Sequence, residues 1–219
     1  MKPSYELFQD MKPETALSVF HYLRDEQRDV YKATLSSLAA NRKLRPVFIQ
    51  RKPVPEQIQW MLKNIKLRGS DEVATQVLQL WLLKGNSALL VSFLDGLGIE
   101  HDGEGAVDDL PDELDAKKLK STVAALVKAH DPEVVAIYLH IFQLQRPGGW
   151  ELIEELIQNS PELRLGGAEL DAAASAEPSP SAADETGAEP AGEGGAVSTE
   201  PVKKTAKKTA KKAEESPSE

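Results

Sequence analysis

Side chains able to do acid–base, nucleophilic or metal chemistry are few and scattered in this chain, which has four histidines and no cysteine in 219 residues. His21, His101, His130 and His140 never stand three or four residues apart, so no helix face can offer two imidazoles to one metal ion. Disulfides and thiolate metal sites are excluded outright. No stretch has the spacing of a phosphate-binding glycine loop, a nucleophile elbow or an HExxH pair. Asp102, Glu104, Asp108 and Asp109 make an acidic cluster, but it lacks the alternating aspartates and the twelfth-position glutamate of a calcium loop, so a solvated loop is expected. Glu104 and Asp109 have no identifiable neighbour that would raise a carboxyl group toward general-acid work. The reading is therefore non-enzymatic, with no catalytic residue, cofactor or metal.

The elements that position these residues centre on 131–145, DPEVVAIYLHIFQLQ, a helix apolar on nearly every side. Asp131 suits the N-cap and Pro132 the first helical position, while Pro147, Gly148 and Gly149 end it. Glu133, Ala136, His140 and Gln143 are left for its wetter side, and Tyr138 reads as core. His130 closes the preceding helix, where a partly cationic ring favours the negative end of the dipole.

A shift of 61 residues lays Ile58, Leu62, Ile65 and Ser70 onto Leu119, Val123, Leu126 and Asp131, and Gln79 onto His140. An offset of 63 then pairs Leu89, Leu90, Phe93 and Leu94 with Leu152, Ile153, Leu156 and Ile157. The pattern suggests an internal duplication of a three-helix unit. Amphipathic helices slide into register easily, so recurrence of cap, buried middle helix, break and third helix carries the suggestion, not the matching stripes.

In chain order, residues 1–54 read as an N-terminal helical pair and an extended connector. Residues 3–12 form a lead-in, 13–43 form either two helices or one bent helix, and 45–55 hold Pro46, Pro53 and Pro55 around Val47, Phe48 and Ile49, which favours extended chain. Residues 55–98 form the first three-helix unit, with Ser70 as a cap and Gly85 and Gly98 as stops, 99–114 an acidic loop, and 115–165 the second unit. The expected class is all-α, a bundle or solenoid-like array of about eight helices. Residues 166–219 are rich in Ala, Glu, Pro, Ser and Gly and without aromatics, a disordered tail by composition.

Charge is strongly segregated within a net of −9. Residues 42–68 carry eight basic side chains against Glu56 alone, whereas 95–115 carry nine acids and no Lys or Arg. Within the tail, KKTAKKTAKK supplies Lys203, Lys204, Lys207, Lys208, Lys211 and Lys212 between acidic flanks. That stretch resembles in composition the Lys/Ala/Thr-rich tails of linker-histone-like and bacterial nucleoid proteins, a likeness confined to about ten residues that implies phosphate contact without sequence readout.

Two functions follow. The first is a helical adaptor that binds a protein partner, with Gln79 and His140 as candidate contacts on a concave face. The second is nonspecific nucleic-acid association through the tail lysines together with Arg42, Lys43, Arg45, Arg51 and Lys52, strengthened if Tyr31, Phe48 or Trp60 shares their face. An enzyme with an unmarked pocket is a third reading, to be revived by a cleft holding His101 or His140 beside a carboxylate. The N-terminal MKPSYELFQD has no apolar h-region and no apolar run nears twenty residues. The expected location is cytoplasmic, or nucleoid-associated under the second reading, with no membrane partner; oligomeric state is left open.

Overall fold

The computed structural model describes residues 2–107 and 109–166, and among them there are ten α-helices and no strand. They are α1 (Ser4–Asp10), α2 (Pro13–Glu26), α3 (Arg28–Asn41), α4 (Pro46–Gln50), α5 (Val54–Ile65), α6 (Asp71–Leu80), α7 (Ser87–Leu97), α8 (Ala116–Ala129), α9 (Pro132–Gln143) and α10 (Glu151–Asn159). A π turn, Trp81–Gly85, prolongs α6, and 3-10 turns occupy Arg68–Ser70 and Pro161–Leu163. The tail from 167 onward, with its lysines, and Asp108 of the acidic loop lie outside the described residues.

α9 is the centre that its sequence predicts. Asp131 accepts a hydrogen bond from the Glu133 N–H at 2.8 Å, and every residue from Val135 to Gln143 is buried. The expected wetter side is absent: Glu133, Ala136, His140 and Gln143 are all buried. Neighbours close it on each side, with α8, α6, α10 and the last 3-10 turn packed around it. Phe93 meets Tyr138 and Phe142 edge-on at 5.1 Å each, and Trp150 stacks on Phe142 at 4.9 Å. The buried Glu133 is held from α2, whose N-terminal Lys12 N–H donates to it at 2.7 Å while the Thr15 hydroxyl donates to its other oxygen.

Two expectations about the first half are corrected, and between the two alternatives for 13–43 the structure has the helical pair. The lead-in is a helix, α1, with Leu7 and Phe8 fully buried. A seven-residue helix has little stability of its own, and this one is held by tertiary bonds: the Tyr5 N–H donates to Asp71 Oδ1 at 3.1 Å, and the Thr75 hydroxyl to Ser4 Oγ at 2.7 Å. The connector 45–55 is not extended, because Pro46 sits at the first position of α4, where its missing N–H costs nothing. Pro53 restricts only the residue before it, which leaves 46–50 free to coil. Residues 13–43 are two helices, broken at Gln27 (φ −131°, ψ 54°) without proline or glycine.

The duplication is not borne out by equivalent environments. Asp131 caps α9, whereas Ser70 makes no cap bond and instead donates its hydroxyl to the Asn64 carbonyl at 3.0 Å. Gln79 is exposed on α6 while His140 is buried in α9. α7 packs chiefly on α8, and the buried side chains of both triplets join α1–α3 in one hydrophobic core. No single helix among the described residues is long and apolar enough to cross a membrane; the apolar segment 68–85 and α7 meet at a bend of 84°.

Candidate functional surface

All large hydrophobic side chains exposed among the described residues fall between 44 and 67: Leu44 (44%), Val47 (41%), Phe48 (59%), Val54 (38%) and Leu67 (39%). Local backbone chemistry puts them there. Just past the end of α3, Lys43 takes the left-handed region (φ 55°), and the Leu44 N–H returns to the Ala39 carbonyl at 2.9 Å, so the chain turns outward. α4 follows at once, and Ile49 is its only buried side chain. One apolar anchor in five residues leaves Val47 and Phe48 on the water side.

The return path is pinned as well. Gln57 Nε2 donates to the carbonyls of Gln50 at 3.1 Å and Lys52 at 2.7 Å, and the Tyr31 hydroxyl donates to Gln57 Oε1 at 3.2 Å. Burial pushes the Tyr31 phenol above its ordinary range, so it stays a donor there. Asn41 Nδ2 donates to the Gly69 carbonyl at 3.0 Å, which sets Leu67 and Arg68 beside the end of α3. The exposed apolar side chains thus lie on α4 and on the turns that lead into it, into α5 and out of α5. Arg42, Lys43, Arg45, Arg51, Lys52 and Arg68 are exposed in the same stretch, and its single acid, Glu56, is paired with Lys52 at 2.8 Å.

The other candidates are separated from this patch. His140 is 6% exposed and lies inside a cleft of about 580 Å³ with Lys2, Glu6, Glu154 and Arg164 around it; burial, reinforced by Lys2, pushes its imidazole down to about 4. Gln79 lies exposed on α6, so the structure does not bring the two candidate contacts into one environment. Of the three rings expected to share a face with the cations, Phe48 does so fully, whereas Tyr31 is buried and Trp60 half-buried.

A second cleft, of about 750 Å³, runs between the end of α7 and the start of α8. Buried Leu97 and Leu114 and half-buried Ile99 and Leu110 line it, together with exposed Glu100, Asp109 and Glu113. It contains His101 beside a carboxylate: Nε2 contacts Asp95 Oδ1 at 3.1 Å, and Nδ1 accepts from the Gly103 N–H at 3.0 Å. Both ring nitrogens are thus engaged within the loop and its flanking helix. Asp102 is also spent internally, accepting from the N–H groups of Glu104 and Ala106, which hold its carboxyl below the usual range. These bonds shape the acidic loop.

The exposed apolar tips were hidden in the sequence because Leu44, Val47, Phe48 and Val54 are interleaved with prolines and cations, and the i, i+3, i+4 spacing of the first three is too short a run to mark a helix or the side it exposes. The one available signal was the coincidence of aliphatic residues with the most basic stretch of the chain. Among known proteins, no family model, no curated protein and no solved structure matches this chain, so the fold and this surface stand on their own physical description.

Proposed function

We propose that this is a non-enzymatic helical interaction module that binds a protein partner through the α4 surface. The observation that supports it is that every large exposed hydrophobic among the described residues falls within the basic stretch 42–68. Isolated exposed leucines are ordinary, whereas a contiguous apolar patch inside a charged border is what a binding surface requires. Burying Phe48 and its aliphatic neighbours would stabilise a complex by about 1.5–3 kcal/mol per fully buried side chain before association costs. The cations supply orientation and encounter rate more than affinity. Gln79 and His140 have no part in this version of the reading.

The test is a paired affinity purification from the native cell, using the wild-type chain and a Leu44→Ser/Phe48→Ser variant, each with and without nuclease. Proteins retained by the wild type after nuclease and lost by the variant support the reading. Identical recovery by both chains counts against it.

A second reading, nonspecific nucleic-acid association, is favoured by one observation: Arg42, Lys43, Arg45, Arg51 and Lys52 are all exposed around a ring that could stack on a base. It requires binding that weakens steeply with salt and a salt slope that falls when residues 203–212 are deleted. Equal retention on DNA with and without those residues would remove the tail from that reading.

A further inference from the structure

We infer that the occupant of the α4 surface is a second copy of this chain, seated through the acidic cleft between α7 and α8. The inference rests on the proposed protein-binding role of α4 and names its partner. The two surfaces are complementary in both respects that matter. One projects apolar side chains, Phe48 foremost, from a stretch whose charge is eight cations against one paired acid. The other is a cleft of about 750 Å³ whose walls combine leucine and isoleucine side chains with Glu100, Asp102, Asp109, Glu113 and Asp115 against Lys118 alone among Lys and Arg. Glu100, Asp109 and Glu113 stand exposed where Arg42, Arg45 and Arg51 of the other copy would arrive.

The alternatives fit less of this surface. A nucleic acid offers stacking to Phe48 but nothing to the aliphatic Leu44, Val47, Val54 and Leu67. An anionic membrane is a broad plane, and residues 69–166 carry seventeen acids against seven Lys and Arg, which such a plane would repel. A cleft receives only the patch. Because the two surfaces differ, the contact is heterologous and can grow beyond a dimer unless its geometry closes.

The experiment is sedimentation velocity on the full-length chain, at concentrations up to several hundred micromolar and at low and high salt, with two variants. Phe48→Ser/Arg45→Glu disables the patch and keeps the cleft, while Asp109→Lys/Glu113→Lys disables the cleft and keeps the patch. All four positions are exposed, and unchanged circular dichroism and melting temperature establish that each variant folds.

Expected are reversible association of the wild type, weakened about tenfold or more by salt, little or no association of either variant alone, and recovery of a 1:1 complex when the two variants are mixed. A monomeric wild type across the whole range overturns the inference, as does a mixture that stays monomeric. Added oligothymidylate or phosphatidylglycerol vesicles that bind the monomer through Phe48 in its place would assign the surface to those occupants and overturn it equally. A monomeric wild type that still captures another protein in a Phe48-dependent way would leave the broader reading standing, so the two failures are distinguishable.

Discussion

The carboxylate of Glu133 accepts a 2.7 Å hydrogen bond from the backbone N–H of Lys12, 121 residues earlier in the chain. Lys12 is the N-cap residue of α2, and its own N–H, which has no partner inside the helix, is met by an acid from the start of α9. With Thr15 donating as well, both oxygens of this buried group are used. Replacing Glu133 with alanine should cost about 1–3 kcal/mol in urea denaturation, because two part-buried hydrogen bonds to a charged acceptor are lost. Glu133→Gln keeps one acceptor oxygen and should lose less. An alanine variant as stable as wild type would show that water replaces the carboxylate at no cost.

His140 gives the fold a pH dependence with a defined sign. Its folded-state value of about 4 lies below the ordinary 6.5, so between those limits the unfolded chain binds a proton that the folded chain does not. Stability should therefore fall as pH drops from 6.5 toward 4, by roughly 3 kcal/mol at about 1.4 kcal/mol per unit. The groups around it are Lys2, Asp10 and Glu154, of which Lys2 acts with burial and the two acids against it. His140→Gln should flatten that window in denaturant titrations. The Asp102 and Asp115 carboxyls, held low by backbone N–H groups, add acid sensitivity only below their ordinary 3.8. A His140 imidazole seen by NMR to protonate near 6.5 in the folded chain would remove the effect.

What the sequence revealed and concealed follows from how locally each element is determined. α9 was legible because Asp131, Pro132 and an almost unbroken apolar run all say the same thing within fifteen residues. α8 likewise begins at the boundary read for the second unit, where Asp115 accepts from the N–H groups of Lys117 and Lys118. α1 was illegible because Asp71 and Thr75, remote in the chain, hold it. The supposed wet side of α9 failed for a related reason: Glu133 and His140 are polar, but only the tertiary fold decides that Glu133 is bonded from Lys12 and Thr15 and that His140 is buried. Of the candidate surface, the cations were visible and the exposed apolar tips were not.

Gly96 marks a close approach of α7 to α8. A Cβ built there would lie 2.5 Å from both Oγ1 and Cγ2 of Thr122, which is itself buried. Gly96→Ala should thus destabilise by about 1–3 kcal/mol despite the better helix propensity of alanine. Adding Thr122→Ala removes those two atoms, although its Cβ remains 3.0 Å away, so rescue should be partial. Gly69, whose Cβ would meet nothing within 4 Å, is the control, and Gly69→Ala should be neutral or slightly stabilising. Additive effects at Gly96 and Thr122 in a double-mutant cycle would argue that the two helices simply move apart.

Phe48 and Ile49 are neighbours in α4 with opposite environments, one 59% exposed and the other 5%. Stability and binding should separate across that single peptide bond. Ile49→Ala removes the only buried side chain of α4 and should cost about 2–5 kcal/mol, releasing the helix from α3 and α5. Phe48→Ser should change the unfolding free energy by no more than about 0.5 kcal/mol, since its ring already faces water. Urea denaturation of the two variants at one pH measures both quantities. A Phe48→Ser variant destabilised as strongly as Ile49→Ala would mean that the ring is packed against the body in solution. The apolar patch would then belong to the core, with nothing left there for a partner to bind.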